Sequence, residues 1–142
     1  MATDHRHSVS VAGVVVDDEG RALIIRRRDN GHWEPPGGVL EHGETIEDGL
    51  RREVYEETGL KIEPGPLTGI YQNMRRHIVA LVFRCYGVGG QLTENDEAAA
   101  FRWVTPNEVP ELMNRAYATR VLDGLSDRGT PKIRAHDGVN LL

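Results

Sequence analysis

The chain has 142 residues, 39% hydrophobic and 27% charged, which is enough for one domain with its own core and ordinary for a soluble protein. A net charge of −5 leaves no surplus of basic residues to neutralise the phosphates of a duplex, which excludes a general binder of nucleic-acid polymers. No apolar run approaches a membrane span, the polar start MATDHRHS lacks a signal peptide's apolar region, and the single Cys85 excludes an internal disulfide framework, so a cytoplasmic protein is expected.

Residues 8–16 (SVSVAGVVV) are short and β-branched and read as a strand. A turn at 17–20 ends in Gly20, and 22–28 (ALIIRRR) reads as a second strand, so the two are expected to form a hairpin. Arg26, Arg27 and Arg28 must alternate faces, which directs some of them to solvent and leaves others free to meet a ligand. Residues 32–38 (HWEPPGG) form a shaped loop rather than a regular element, and its paired glycines permit close approach of a ligand to the backbone. Trp33 there is either a core anchor or a surface on which a base stacks.

A helix over 46–58 follows. Thr45 is a suitable N-cap, Asp48 completes a capping-box-like pair, and Gly59 suits the left-handed position past the last turn. Beyond it, 64–66 (PGP) is expected to break the chain before a strand over 67–73. Residues 77–88 (HIVALVFRCYGV) are the most hydrophobic stretch and read as a central strand. Cys85 within it reads as a small buried hydrophobe. An acidic loop (Glu94, Asp96, Glu97) precedes a short strand at 101–104, a helical turn within 106–113 and a helix over 114–125. Residues 126–142 are rich in polar and turn residues and read as a tail, either loosely ordered or packed on a partner. With no repeat or linker, the expectation is one domain over 1–142 with its core at about 8–125. The alternation of strands and helices suggests a mixed sheet with helices packed on it.

Seven acids fall between 41 and 57: Glu41, Glu44, Glu47, Asp48, Glu53, Glu56 and Glu57. Like charges this close repel unless a cation sits among them, and the competing reading is a solvated acidic helix face. At roughly 100° per residue from Ile46, Leu50 falls near about 40° and Val54 near about 80°, while Glu57 falls near about 20°, Glu53 near about −20° and Glu56 near about −80°. The carboxylates therefore run along the edge of the apolar stripe rather than opposite it, and partly buried carboxylates are costly unless paired or coordinated. Gly49, between Glu53 and Glu56 in projection, leaves room either for an ion or phosphate or for a packing contact. Oxygen ligands suit a hard cation such as Mg²⁺ or Mn²⁺, and a carboxylate cluster beside a glycine-rich loop points to phosphate chemistry.

Gly38, five residues, Glu44, seven residues, then Arg52, Glu53, Val54, Tyr55, Glu56, Glu57, Thr58, Gly59 and Leu60 together resemble the Nudix box. All of its fixed positions are filled, and a chance match at a given start is below about one in 10⁸. The approach from Trp33 to Gly38 and the late Glu97 and Trp103 segment are also similar to Nudix domains. The resemblance implies an α/β/α sandwich built on a mixed sheet, and hydrolysis of a nucleoside diphosphate linked to another moiety with Mg²⁺ or Mn²⁺. It implies Glu53, Glu56 and Glu57 as metal ligands, with the Gly38 backbone as a further one and Glu97 as an acid joining from the later loop, ahead of Asp96 and Glu94. It makes Arg52 the arginine that orients the carboxylates, with Glu44 as its partner. Glu53 is the preferred general base, with Glu56 and Glu97 as rivals.

Markers of ADP-ribose, dinucleoside polyphosphate, coenzyme A and NADH enzymes are out of register or absent. The loop at 33–38 is similar instead to that of enzymes acting on nucleoside triphosphates. Arg26, Arg28, Trp33, Arg75 and His77 are candidates for substrate contacts. The expected partner is a small nucleotide, with neither nucleic-acid polymer nor membrane, and the expected state a monomer or homodimer. The alternative is a catalytically silent ligand-sensing Nudix domain, which is usually marked by lost box glutamates or a fused module; a metal-stabilised binding protein would have no need of Arg52 or the glycine-rich approach.

Overall fold

The computed structural model describes residues 4–126 and 129–142. In chain order these form β1 (Ser8–Val15), β2 (Ala22–Arg27), β3 (Trp33–Glu34), β4 (Gly37–Val39), α1 (Ile46–Thr58), β5 (Leu60–Asn73), β6 (Ile78–Gly90), β7 (Ala98–Val104), α2 (Val109–Leu112), α3 (Arg115–Leu125) and β8 (Lys132–His136). Asp127 and Arg128, part of the stretch read as a tail, lie outside the described residues.

Five strands make a mixed sheet in the order β4-β1-β6-β5-β8, with β1 parallel and β5 antiparallel to the central β6. Alternation along β1 divides its side chains between two cores. Val11 and Val15 pack with Leu50, Val54 and Cys85 under α1, whereas Ala12, Val14 and Val16 pack with Ala118 and Val121 of α3. Both helices come close at glycines. A Cβ on Gly13 would stand 3.1 Å from Val54 Cγ2, and one on Gly124 would stand 2.5 Å from Val14 Cγ2. The result is helix, mixed sheet, helix: the α/β/α sandwich. Fully buried Leu50 contributes about 1.5–3 kcal/mol by leaving water, so Leu50 and Val54 clamp α1 to the sheet.

A second sheet, β3-β2-β7, carries the loop at 32–38 and ends near the acidic loop. Here the expected hairpin is corrected. The turn forms, with Asp17 Oδ1 accepting from the Glu19 and Arg21 amides, but only the Val16 and Ala22 bridge joins the two strands. Both edges of β1 are taken by β4 and β6, so β2 must pair elsewhere, with β3 and β7.

The expected break at 64–66 is also absent: β5 runs through it as one strand. Register shifts against β6 absorb the prolines, and β8 pairs with β5 only from Gly69 onward, so no neighbour on that edge needs the missing N–H groups. The strand expected at 101–104 begins earlier, at Ala98. The tail reading is overturned by β8, which lies parallel to β5 and ends in fully buried His136.

Candidate active site

The caps of α1 are those its sequence requires. Thr45 Oγ1 accepts from the Asp48 amide at 3.2 Å, and Gly59 takes φ 83° with its N–H on the Tyr55 carbonyl at 2.8 Å. The buried face begins at Gly49 and Leu50. Ile46, placed in the apolar stripe above, is 40% exposed because the first turn stands clear of the core. Glu57 and Glu53 are only 3% and 9% exposed, whereas the Glu56 side chain is 55% exposed. Thus two of the three box carboxylates share the buried face and the third lies at its rim. Gly49 makes a packing contact: a Cβ there would stand 2.6 Å from Leu40 Cδ1 and 2.8 Å from Glu44 Oε1, so no space for an ion exists above it.

Arg52 is the hub of the helix. Its Nε and Nη2 donate to the two oxygens of Glu44 at 2.9 and 2.7 Å, a bidentate fork. Its Nη1 donates to Glu53 Oε1 at 2.9 Å and to Glu56 Oε2 at 3.2 Å, and Nη2 also reaches the Val39 carbonyl at 3.2 Å. This fork holds Glu44 down to about 2. Burial works the other way on the deeper carboxyls. It pushes Glu57 up to about 8, opposed by the Gly37 N–H that donates to Oε1 at 2.6 Å and reinforced by the charges of Glu53, Glu97 and Glu34. Burial also raises Glu53, against the hydrogen bond from Arg52.

The glycine pair serves close approach. A Cβ on Gly38 would stand 2.5 Å from the Glu53 carboxylate, and one on Gly37 would strike the Val11 carbonyl. The loop bearing Glu97 is tied to the end of α1: Asn95 Nδ2 donates to the Glu57 carbonyl at 2.7 Å, and Asn95 Oδ1 accepts from the Glu97 and Ala98 amides at 2.9 Å. A cleft of about 350 Å³ results, lined by Gly37, Gly38, Glu53, Glu57, Asp96 and Glu97, with Arg27 and Asp29 opposite. Among the described residues no three His, Cys, Asp or Glu side chains converge on one point, since Glu53 and Glu56 turn to Arg52 and Glu57 turns to Gly37.

A second cleft of about 530 Å³ adjoins it, sharing Arg27 and Asp29, and is lined by Trp33, Glu34, Arg76, Met113 and Tyr117 among others. Trp33 packs on the core beneath α3 and also lines this cleft. The other candidates for substrate contacts fall elsewhere. Arg26 is exposed and lines neither cleft. Arg28 Nε donates to the Asn95 carbonyl at 2.6 Å, so it holds the Glu97 loop instead of facing the cleft. In the turn after β5 it is Arg76, not Arg75 or His77, that lines the second cleft; His77 has φ 56° and meets the His7 ring edge-on. Arg27, Glu34 and Tyr117 went unselected in the sequence. Alternation along β2 named Arg27 as a possibility, but nothing local marks Glu34 or Tyr117, which come together only through the packing of β3 against α3.

Comparison with known proteins agrees with this architecture. The NUDIX domain model matches residues 6–124. A MutT-like protein of Streptomyces ambofaciens is 57% identical over 136 residues, covering 96% of this chain and 88% of that protein. An ADP-ribose pyrophosphatase of Methanocaldococcus jannaschii is 35% identical over 112 residues, covering 74% of this chain and 66% of that one. A NUDIX hydrolase of Nitrosomonas europaea superposes with TM-score 0.80 at 21% identity, covering 94% of this chain and 82% of that structure. The chain belongs to the Nudix hydrolase family.

Proposed function

We propose that the protein is an Mg²⁺-dependent pyrophosphohydrolase, with Mn²⁺ able to substitute, that cleaves a nucleoside diphosphate linked to another moiety, a nucleoside triphosphate being the leading substrate. The observation that carries this reading is the pair of adjoining clefts: one lined by Glu53, Glu57 and Glu97 at Gly38, the other by Trp33 and Tyr117, with Arg27 common to both. The first suits anhydride chemistry and the second a nucleoside. The donor set is all oxygen and two of its carboxylates are buried without a full complement of partners, which fits a hard divalent cation. Glu53, Glu56, Glu57 and Glu97, with the Gly38 backbone, are the residues that would hold it. When bound, such an ion neutralises phosphate charge and lowers the pKa of water.

The chain's own groups account for the remaining steps. Arg27 offers a guanidinium to the phosphates at the junction of the clefts. Arg52, anchored on Glu44, fixes the Glu53 carboxylate. Glu53 accepts the proton of a water whose oxygen attacks phosphorus as the anhydride P–O bond breaks and the leaving phosphate departs; Glu56 and Glu97 are the alternative bases. We read the protein as acting on small nucleotides in the cytoplasm, as a monomer or homodimer.

The test is a hydrolysis screen of nucleoside triphosphates, nucleotide sugars and ADP-ribose with Mg²⁺ or Mn²⁺, scoring phosphate and pyrophosphate release. Turnover that chelation abolishes is expected. Binding without turnover across the set would return the chain to the ligand-sensing reading.

A further inference from the structure

The loop between β6 and β7, residues 91–97, does more than bring Glu97 to the carboxylate cleft. A helix ends in carbonyls that have no partner within it. In α1 the Tyr55 carbonyl is met by the Gly59 N–H, and two of the remaining ones are met by this loop. The Thr93 N–H donates to the Thr58 carbonyl at 2.9 Å. Asn95 Nδ2 donates to the Glu57 carbonyl at 2.7 Å and to the Thr93 carbonyl at 3.3 Å. The last turn of the helix that bears Glu53, Glu56 and Glu57 is thus completed by the loop that bears Glu97.

A single side chain joins the two. While its amide nitrogen serves the helix, Asn95 Oδ1 accepts from the Glu97 and Ala98 amides at 2.9 Å. From the other side the Arg28 N–H donates to the Glu97 carbonyl at 2.9 Å, and Arg28 Nε donates to the Asn95 carbonyl at 2.6 Å. Both main-chain polar groups of Glu97 are therefore held. Its side chain lines the cleft and makes no hydrogen bond or ion pair among the described residues. The network also fixes which way the Asn95 amide faces, since a flipped amide would set its NH₂ against two N–H groups and its oxygen against two carbonyls. Aspartate could accept from the loop amides but could not donate to the helix carbonyl, and serine is too short to do both.

Resting on the reading of Glu53, Glu56, Glu57 and Glu97 as the residues that would hold a divalent cation, we propose that Asn95 is a positioning residue for that site. It registers the Glu97 loop against the last turn of α1, so that acids from two distant parts of the chain act as one set. Helical spacing arranges the first three acids, but nothing within α1 fixes the fourth. Groups that orient ligands from outside typically carry about 10–100-fold in metal affinity.

The test is Mn²⁺ binding, followed by loss of the free-ion electron paramagnetic resonance signal, in wild type, Asn95→Ser, Glu97→Gln and the double variant. Thermal melts show that each is folded, as expected for changes in a surface loop. Serine can still accept from the loop amides but does not reach the helix carbonyl, so it cuts the tie and spares the turn. Asn95→Ser is expected to weaken Mn²⁺ binding about tenfold, and Glu97→Gln at least as much. In the Glu97→Gln background Asn95→Ser should cost less than about twofold more, because the acid it positions is already gone. A residue that only caps α1 would lower the melting temperature without changing Mn²⁺ binding, or would weaken binding equally in both backgrounds; either result overturns the proposal. Unchanged binding in Glu97→Gln overturns it too, since Asn95 would have no ligand to place. The hydrolytic reading fails separately, in a wild type that binds Mn²⁺ but cleaves no nucleotide, and the binding comparison still decides the role of Asn95.

Discussion

The two adjoining clefts share Arg27 and Asp29 yet are built on opposite plans. The carboxylate cleft draws Glu53 and Glu57 from consecutive turns of one helix, Glu53 held by Arg52 of the same helix and Glu57 by the Gly37 N–H. Its geometry is that of 3.6 residues per turn, and any chain that forms α1 obtains most of it. The aromatic cleft draws Trp33 and Glu34 from β3, Arg76 from the turn after β5, and Tyr117 from α3. No local geometry relates them; they meet because the core beneath α3 fixes that helix over the sheet. Chemistry that must stay constant is set on a single rigid element, while selection of the ligand is left to pieces that can change independently.

Glu57→Gln offers the hardest test of that division. The amide oxygen can still accept from the Gly37 N–H, so the fold should hold. The amide cannot become an anionic oxygen ligand at the floor of the carboxylate cleft, and kcat/KM should fall by more than about 100-fold, exceeding the 10–100-fold typical of groups that only orient metal ligands. Steady-state kinetics with saturating Mg²⁺ decide the matter. A folded variant with more than a tenth of wild-type activity would remove Glu57 from the machinery.

Trp33→Leu probes the other cleft with a smaller effect of a different kind. Leucine keeps apolar contact with the core beneath α3 but offers no ring face. Loss of stacking on a base, worth about 1–3 kcal/mol, should raise KM about tenfold or more and leave kcat within threefold. A fall in kcat with KM unchanged would show that the clefts are not separable, and that Trp33 shapes the carboxylates through the 35–38 loop.

The same division decides what the sequence made legible. The box was readable because its residues act within one helix, where spacing is geometry: Thr45, Asp48 and Gly59 mark its ends and Glu53 and Glu57 its buried face. The sandwich was readable from the alternation that sends Val11 and Val14 to different cores. Pairing between strands was less so. Nothing in 8–28 reveals that β4 and β6 occupy both edges of β1, so the turn suggested a hairpin that the sheet does not allow. Arginine candidates failed for a related reason. Strand alternation limits which faces are possible, but a register shift between Arg26 and Arg27 decides which of them meets the cleft. His136 was invisible, because a polar segment gives no sign that it will close the edge of a sheet.

His136 gives the mildest prediction and the one that bears on how the aromatic cleft is held. The hairpin it anchors accepts the Ala116 amide on the Val139 carbonyl at 3.0 Å and Asn114 Nδ2 on the Gly138 carbonyl at 3.1 Å, so it fixes the start of α3 and with it Tyr117. Burial first, then the charge of Arg120, depresses the His136 pKa below its ordinary value of 6.5, with Asp137 opposing. The folded protein thus keeps the ring neutral where the unfolded chain would take up a proton. Its contribution is intact above pH 6.5 and is lost as pH falls below that value towards the folded pKa. Between pH 7.5 and 5.5 this one group therefore costs the folded state stability. Carboxylates titrate over the same range, so the measurement is a difference: urea melts of wild type and His136→Gln at both pH values. The variant should be less stable at pH 7.5 yet lose less on acidification, the proton uptake by the unfolded imidazole being absent. Equal losses in the two proteins would mean that His136 is protonated in the fold already, and that the wall of the aromatic cleft stands against Arg120 by some other balance of charge.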